Sequence, residues 1–333
     1  MNKHGKLEMR ITTLETLHHG AGSSGNTALL RTEDVILDDG RRAKVPFVSG
    51  NTVKHLIREA GVRHALSVLG LDRLSVPVVH LLFSGGHLSK TSGSGVDMRR
   101  ARRLSEVFPI LGLCGFSAGN VMTDSKIRCS KLHLVCEENR WRLPADCLEL
   151  PHATQRSGAY RGEEMGTRRE PTHSAHVRAL LSDADRKQLD AGATEKLEAS
   201  RAGETSERGA SAQMIYEHEV LLPGARLFGT IGYHGLGDME LAALVAALSY
   251  ACDGTHPGGG LLYRFGARNS VGMGLCAVTF EGAAKRLIGV PEFEPTDEVM
   301  PSVGDAGNAA MVAYVEHLRG HRDEIVTTLE QSA

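Results

Sequence analysis

The sequence predicts an α+β fold in which helices cover one face of an antiparallel sheet, a ferredoxin-like (RRM-like) split βαβ arrangement. Three observations carry this. Extended segments and helices alternate in the order strand, helix, strands, then strand, strand, helix, strand. The two best helical patterns, Ser49–Leu69 and Gly237–Gly254, are separated by strands rather than repeated in series. Between Pro151 and about Ala212 the apolar periodicity gives way to a polar arm rich in Gly, Ser, Thr and Arg. A structureless connection of that length is uncommon in a compact domain, so the arm reads as an insertion.

Residues 6–17 (KLEMRITTLETL) alternate as a half-buried strand does. The Gly- and Ser-rich loop HHGAGSSGN (18–26) follows, then TALLRTEDVILDDG, a second extended segment closing on an Asp-Gly turn at 39–40. Val45–Val48 is extended and runs into Ser49, Gly50, Asn51 and Thr52, residues that start helices. Val53, Leu56, Ile57, Ala60, Leu66 and Leu69 then keep a 3.6-residue period, with Lys54, His55 and Arg58 on a basic edge.

Residues 71–83 read as irregular or short strands, 84–95 as a loop, and 96–109 as a short basic helix ended by Pro109. Residues 111–120 (LGLCGFSAGN) form a Gly-rich apolar turn, and 125–143 a hairpin turning near Glu138–Asn139. Beyond the arm, 212–234 holds two extended segments around Pro223–Gly224, and 237–254 is a strongly apolar helix. Residues 256–282 are Gly-rich and then extended, and a terminal helix covers about 308–329. The expected divisions are 1–150 with a helical insertion near 71–110, the arm at 151–212, and 213–333.

The chain has 333 residues and a formal net charge of -2, which excludes a uniformly basic nucleic-acid binder but not a local basic surface. Arginines do cluster: Arg41 and Arg42 with Lys44, then Arg99, Arg100, Arg102 and Arg103, then Arg156, Arg161, Arg168 and Arg169. No apolar run approaches the roughly 20 residues that span a bilayer, and Met1–Arg10 lacks a signal-peptide core. A cytoplasmic protein without membrane attachment is expected. The six cysteines include no C-x-x-C pair and no histidine pair has H-E-x-x-H spacing, so neither a disulfide framework nor a metal site is expected.

Three stretches bear on chemistry, each with a plain alternative. The start of the 49–69 helix leaves amides unpaired at the positive end of a dipole, which suits a phosphate; a simple N-cap needs only Ser49 or Asn51. HHGAGSSGN can cradle a phosphate on backbone amides but lacks the G-x-x-x-x-G-K-[ST] of an ATPase loop. Its His18 and His19 suit a general acid and base, or a structural role with one ring turned inward. FGARNSVGMG (265–274) only loosely matches G-x-G-x-x-G and precedes a strand, so a dinucleotide fold fails its context while contact with a nucleic-acid backbone survives.

LHHGAG, VPFVSGNTVKHLIREA, LGLCGFSAGNVMTDSKI, EVLLPGARLFGTI and FGARNSVGMG occur in this order over roughly residues 6–282. The series resembles the RAMP superfamily of CRISPR-associated proteins, and most of all the backbone subunit of type IV effector complexes. That resemblance implies an RRM-like palm with an inserted thumb at the arm, copies stacked in a helical filament along a CRISPR guide RNA, and no cofactor. Palms would grip guide phosphates and thumbs would flip out bases. Ser49, Gly50, Asn51, Thr52, Lys54 and Arg58 match the helix-start motif, with Ser49 as the cap and Asn51, Lys54 and Arg58 reaching the RNA. Gly22, Ser23, Ser24 and Asn26 match the first loop; Arg268, Asn269 and Ser270 lie in the last. His19 and His55 complete the predicted RNA-binding set, and Arg156, Arg161, Arg168 and Arg169 join it on composition alone.

Members that cut target RNA carry an Asp between the first loop and the helix-start motif. Here Leu30, Arg31 and Thr32 stand there, with Glu33 and Asp34 nearby. A non-catalytic scaffold is therefore expected, able to hold any guide through salt-dependent phosphate contacts. Its implied partners are guide RNA, further copies, other effector subunits, a target that is duplex DNA rather than RNA, and a separate helicase. The alternatives are an endoribonuclease processing CRISPR RNA with His18 or His19 as base, and an unrelated small-molecule enzyme binding a nucleotide on its Gly loops.

Overall fold

The structure, a computed structural model, describes residues 3–86, 98–118, 121–169, 176, 179–191, 213–281 and 305–332. The chain divides into two compact units. The larger comprises Met1–His19, Arg31–Arg161 and Leu221–Ala333; the smaller comprises Gly20–Leu30 and Gly162–Val220.

In chain order the elements are β1 (Lys3–Thr13), β2 (Gly20–Ser24), β3 (Thr27–Leu30), β4 (Thr32–Ile36), β5 (Arg42–Val48) and α1 (Gly50–Leu69). Next come α2 (Val76–Val79), which runs into a π-helical turn at His80–Ser84, then α3 (Met98–Val107), α4 (Pro109–Cys114), β6 (Ser117–Ala118), β7 (Val121–Met122), β8 (Ile127–Cys129) and β9 (Leu132–Leu134). A 3₁₀ turn at Glu137–Arg142, α5 (Ala145–Leu148) and 3₁₀ turns at Pro151–Thr154 and Ser157–Tyr160 lead to β10 (Arg161–Arg169). The remainder is β11 (Gln213–Leu221), β12 (Arg226–Leu236), α6 (Asp238–Tyr250), β13 (Gly254–Thr255), β14 (Leu261–Arg264), β15 (Leu275–Glu281), α7 (Asp305–Gly320) and α8 (Arg322–Ser332).

Among the described residues, nine strands of the larger unit form one sheet in the order β13-β14-β15-β1-β12-β9-β5-β4, with β8 also paired to β12. Its centre, β15-β1-β12-β8/β9, with α1 after β1 and α6 after β12, is the split βαβ that the element order predicts. β1 alternates as read: Leu7, Met9, Ile11 and Thr13 are buried and their neighbours partly exposed. It pairs antiparallel on both edges, Ile11 facing Leu227 of β12 and Val278 of β15. Met9, Ile231 and Val278 from the sheet meet Val53 and Leu56 of α1 and Leu248 of α6. α6 is buried from Glu240 to Ser249 because it packs against α1, α4 and α7; a helix apolar all round has no solvent face to present.

Several local expectations differ from the structure. Residues 125–143 are not a hairpin: β8 and β9 both pair with β12, and β9 also pairs with β5. The turn expected at Glu138–Asn139 is instead a 3₁₀ turn that buries these two residues. Its Glu138 carboxylate accepts from the Ser157 amide (2.9 Å) and hydroxyl (3.0 Å), and Asn139 Nδ2 donates to the Leu134 carbonyl (2.7 Å). Pro151–Arg161 belongs to the larger unit rather than to the arm, because Ala153 completes a small core with Val135, Leu143 and Cys147. Residues 71–75 are irregular as expected but 76–83 are helical rather than extended, and the terminal helix is two, α7 and α8. The basic helix α3 is held by α8 across the fold, with Arg103 on the Glu324 carboxylate (2.7 Å) and Arg100 on the Gln331 carbonyl (2.9 Å).

The smaller unit carries the order β10-β11-β3-β2. β3 runs parallel to β11, Thr27 facing Glu217, and forms a hairpin with β2. Two glutamates pin it: Glu217 accepts from Thr27 Oγ1 (2.9 Å) and Glu219 from the Leu30 amide (2.8 Å). The polar arm thus folds with the first Gly-Ser loop, a pairing across about 190 residues that no local pattern signals. Residues 192–212 of the arm lie outside the described residues, as does most of the expected loop at 84–95. No helix among the described residues is long and apolar enough to cross a membrane.

Arg58 departs from the exposed basic edge that the periodicity of α1 predicts. It is buried (8% exposed), and its Nη2 donates to the carbonyls of Cys114 (3.1 Å) and Gly115 (2.6 Å) at the end of α4. A guanidinium suits that place because helix-terminal carbonyls have no partners of their own. Charged hydrogen bonds of this kind contribute roughly 1.5–3 kcal/mol each. Arg58→Ala is expected to lower unfolding stability by about 3 kcal/mol or more in urea titration; an unchanged midpoint would remove this tie from the account of the fold.

Candidate nucleic-acid interface

β5 ends at Val48 and α1 begins without an intervening loop. Ser49 is extended (φ -69, ψ 146) and is the N-cap, its Oγ accepting from the Thr52 amide at 3.3 Å and lying 3.0 Å from Thr52 Oγ1. No acidic residue occupies the first turn of α1, so the positive end of the helix is left uncompensated. Asn51 and His55 are exposed there, Lys54 is partly exposed, and His55 pairs with Glu59 one turn on (3.3 Å). Gly50 has a packing reason. A Cβ at this position would sit 2.2 Å from the Cys129 carbonyl oxygen, so the helix start can lie on β8 only without a side chain.

The His18–His19 segment joins this helix start to the last Gly-rich loop. The His19 ring nitrogen Nε2 accepts from the Ser49 amide (3.2 Å), and its carbonyl accepts from the Arg31 amide (2.7 Å). The His18 carbonyl accepts from the Ala267 amide (2.9 Å), and Thr16 accepts from Gly274 (2.7 Å). Gly266 and Gly274 close that loop with φ of 84° and 85°; a Cβ on them would reach 2.3 Å from His18 O and 2.2 Å from Phe265 O. Arg268 takes the left-handed conformation too (φ 63°), which is uncommon for a residue with a side chain. Asn269 and Ser270 are exposed at the tip and Arg268 partly so.

The helix start and the last loop are therefore brought together in the larger unit. The other predicted residues fall elsewhere. Gly22, Ser23, Ser24 and Asn26 are exposed on the β2–β3 hairpin of the smaller unit. Arg168 and Arg169 lie on β10, which begins at Arg161; Arg156 is in the larger unit, its Nε 3.4 Å from Glu137. Arg58 is corrected from an RNA contact to a buried tie, so a variant carrying Arg58→Glu would disturb folding as well as binding. Lys131 is a basic residue near the helix start that sequence reading missed. It is exposed, pairs with Glu33, and lies over the Phe47 ring at 4.5 Å, while His19 meets that ring edge-on at 6.3 Å. Reading 125–143 as a hairpin hid it; only the pairing of β9 with β5 brings Lys131 here.

The candidate acid–base groups are engaged. His18 is buried (5% exposed). Burial, with the Arg31 guanidinium and His18 adding to it, pushes the His19 pKa down to about 4, consistent with a neutral ring that accepts from Ser49. Glu33 is ion-paired to Lys131 and Arg142; burial opposes its ionisation, but those hydrogen bonds win and hold it below the usual range. Asp34 is exposed on β4, opposite Lys44.

Folding depresses the His19 pKa below its ordinary value of about 6.5, so the unfolded chain binds more protons between the two values. The stability this group contributes is full above about 6.5 and declines as pH falls toward about 4. His133, pushed down to about 4 by burial and Arg142, acts in the same window. His19→Gln, which keeps an acceptor for Ser49, is expected to lose less stability than the parent between those pH values. Equal losses in urea titrations at each pH would show that His19 titrates alike folded and unfolded.

No family model matches the sequence, and no curated protein matches it. Among solved structures, a chain of a "Type IV-B CRISPR Complex" aligns over 88% of this chain and 95% of its own, with a TM-score of 0.53 and 15% sequence identity. At that identity the likeness is one of fold: this chain has the α+β architecture of a chain from a type IV-B CRISPR complex.

Proposed function

We propose that this chain is a non-catalytic backbone subunit of a type IV CRISPR effector complex, one that binds guide RNA and stacks with further copies along it. What carries the reading is the fold shared with a type IV-B CRISPR complex chain over nearly its whole length. The site adds to it. An uncompensated helix start bearing Asn51 and Lys54 lies joined, through His18–His19, to a loop offering Arg268, Asn269 and Ser270. Amides and cations of this kind take phosphates of any sequence. A net charge of -2 is compatible, because a subunit in an array needs one basic groove and not a basic surface.

The engaged state of His18, His19 and Glu33 supports a scaffold rather than a nuclease. In this reading other effector subunits complete the assembly, the guide pairs with target DNA, and a helicase acts separately. Contact residues on the helix start are Asn51 and Lys54, with Ser49 as the cap.

Lys54→Glu is expected to weaken binding of single-stranded RNA of any sequence and to reduce the slope of log affinity against log salt by about 0.7, one phosphate contact. Its melting temperature should match the parent. An unchanged affinity and slope would move the groove elsewhere, and a parent protein that purifies as a nucleic-acid-free monomer and binds no RNA would overturn the function.

A further inference from the structure

The single tryptophan of the chain, Trp141, is exposed (65%). Large aromatic rings are usually mostly buried, so an exposed indole calls for a reason. The backbone carrying it is anchored on both sides: Glu138 and Asn139 are tied to Ser157 and Leu134, and Arg142 is tied to Glu33 and Asn139. Arg142 also lies against the indole, its guanidinium carbon 5.3 Å from the ring centroid. Trp141 lines two open surface clefts of about 410 and 570 Å³.

Four more arginines, Arg41, Arg42, Arg140 and Arg156, line the smaller cleft with Trp141. Acids are there as well, so the cleft is not simply basic. Arg41 pairs with Asp39 (2.5 Å) and Arg156 with Glu137 (3.4 Å), while Asp38 lines both clefts. Those pairs are exposed and weak, and a guanidinium can leave one for a phosphate. No ion pair is formed by Arg42 among the described residues. Guanidinium planes and an exposed indole together match a nucleotide: the indole offers a face to any base, and the arginines meet its phosphates bidentately.

We propose that Trp141 and its surrounding arginines form a second single-stranded nucleic-acid subsite, on which one base stacks against the indole. It is separate from the helix start. Arg42 opens β5 and Ser49 follows its end, which at ~3.3 Å per residue puts the two about 20 Å apart. The proposal rests on the reading of the chain as a nucleic-acid binder only for the class of ligand.

Because Trp141 is the only tryptophan, its fluorescence reports this subsite alone. Titrating the full chain with a short single-stranded RNA, and with DNA of the same sequence, is expected to quench that emission. Trp141→Ala should weaken binding, measured by anisotropy of labelled RNA, by between about 5- and 150-fold, the range for loss of one stacked base. The double change Arg42→Glu with Arg156→Glu should reduce the quenching while the exposed positions leave folding intact. The Lys54→Glu variant should still quench at higher RNA concentration. RNA that binds without changing the emission, or with Trp141→Ala as tight as the parent, overturns the subsite and leaves the proposed function standing. An acidic peptide that quenches while RNA does not would assign the cleft to protein instead.

Discussion

Strand β1 is hydrogen-bonded along both edges, to β12 and to β15, and the larger unit is organised around that constraint. A strand paired on both sides has little freedom to shift, since a slip of one residue would turn Leu7, Met9 and Ile11 out of the core. Its continuation, Thr16 to His19, inherits the position. Backbone bonds from that segment then hold the last Gly-rich loop, and the His19 ring holds the Ser49 amide. The helix start and the loop are thus placed by a central strand, not by each other.

The charged residues divide into two populations that composition cannot separate. Arg58, Glu138, and the Glu33–Arg142 pair work inside the fold, each closing backbone or side-chain groups that burial would otherwise leave unmatched. Asn51, Lys54 and the 268–270 tip stay at the surface. A helix start that lacks acidic residues, in a chain whose acids slightly outnumber its bases, leaves positive potential where the two chemistry-bearing segments meet.

Glycines show the same division. Gly50, Gly266 and Gly274 each face a carbonyl oxygen too close for a Cβ, so the small-residue motifs are first of all conditions for packing. Close packing and ligand binding are compatible, because a backbone without side chains also leaves its amides accessible. Gly22, Gly25 and Gly272, by contrast, have open space around them and take positive φ, Gly22 at an irregularity within β2 and the other two in turns.

The sequence by itself determined the α+β class, the strand β1, helices α1 and α6, and the Ser49 cap, because each is written in a local period or a short capping pattern. Tertiary structure decided the rest. Arg58 lies on the buried side because α4 ends beside it. Lys131 reaches the helix start because β9 pairs with β5, and Pro151–Arg161 joins the larger unit because Ala153 fills a core. Residues 20–30 leave that unit altogether, because β3 pairs with a strand almost 200 residues away. Periodicity reports which side of an element is apolar; which partner covers that side depends on contacts between residues far apart in the chain, and no local pattern encodes them.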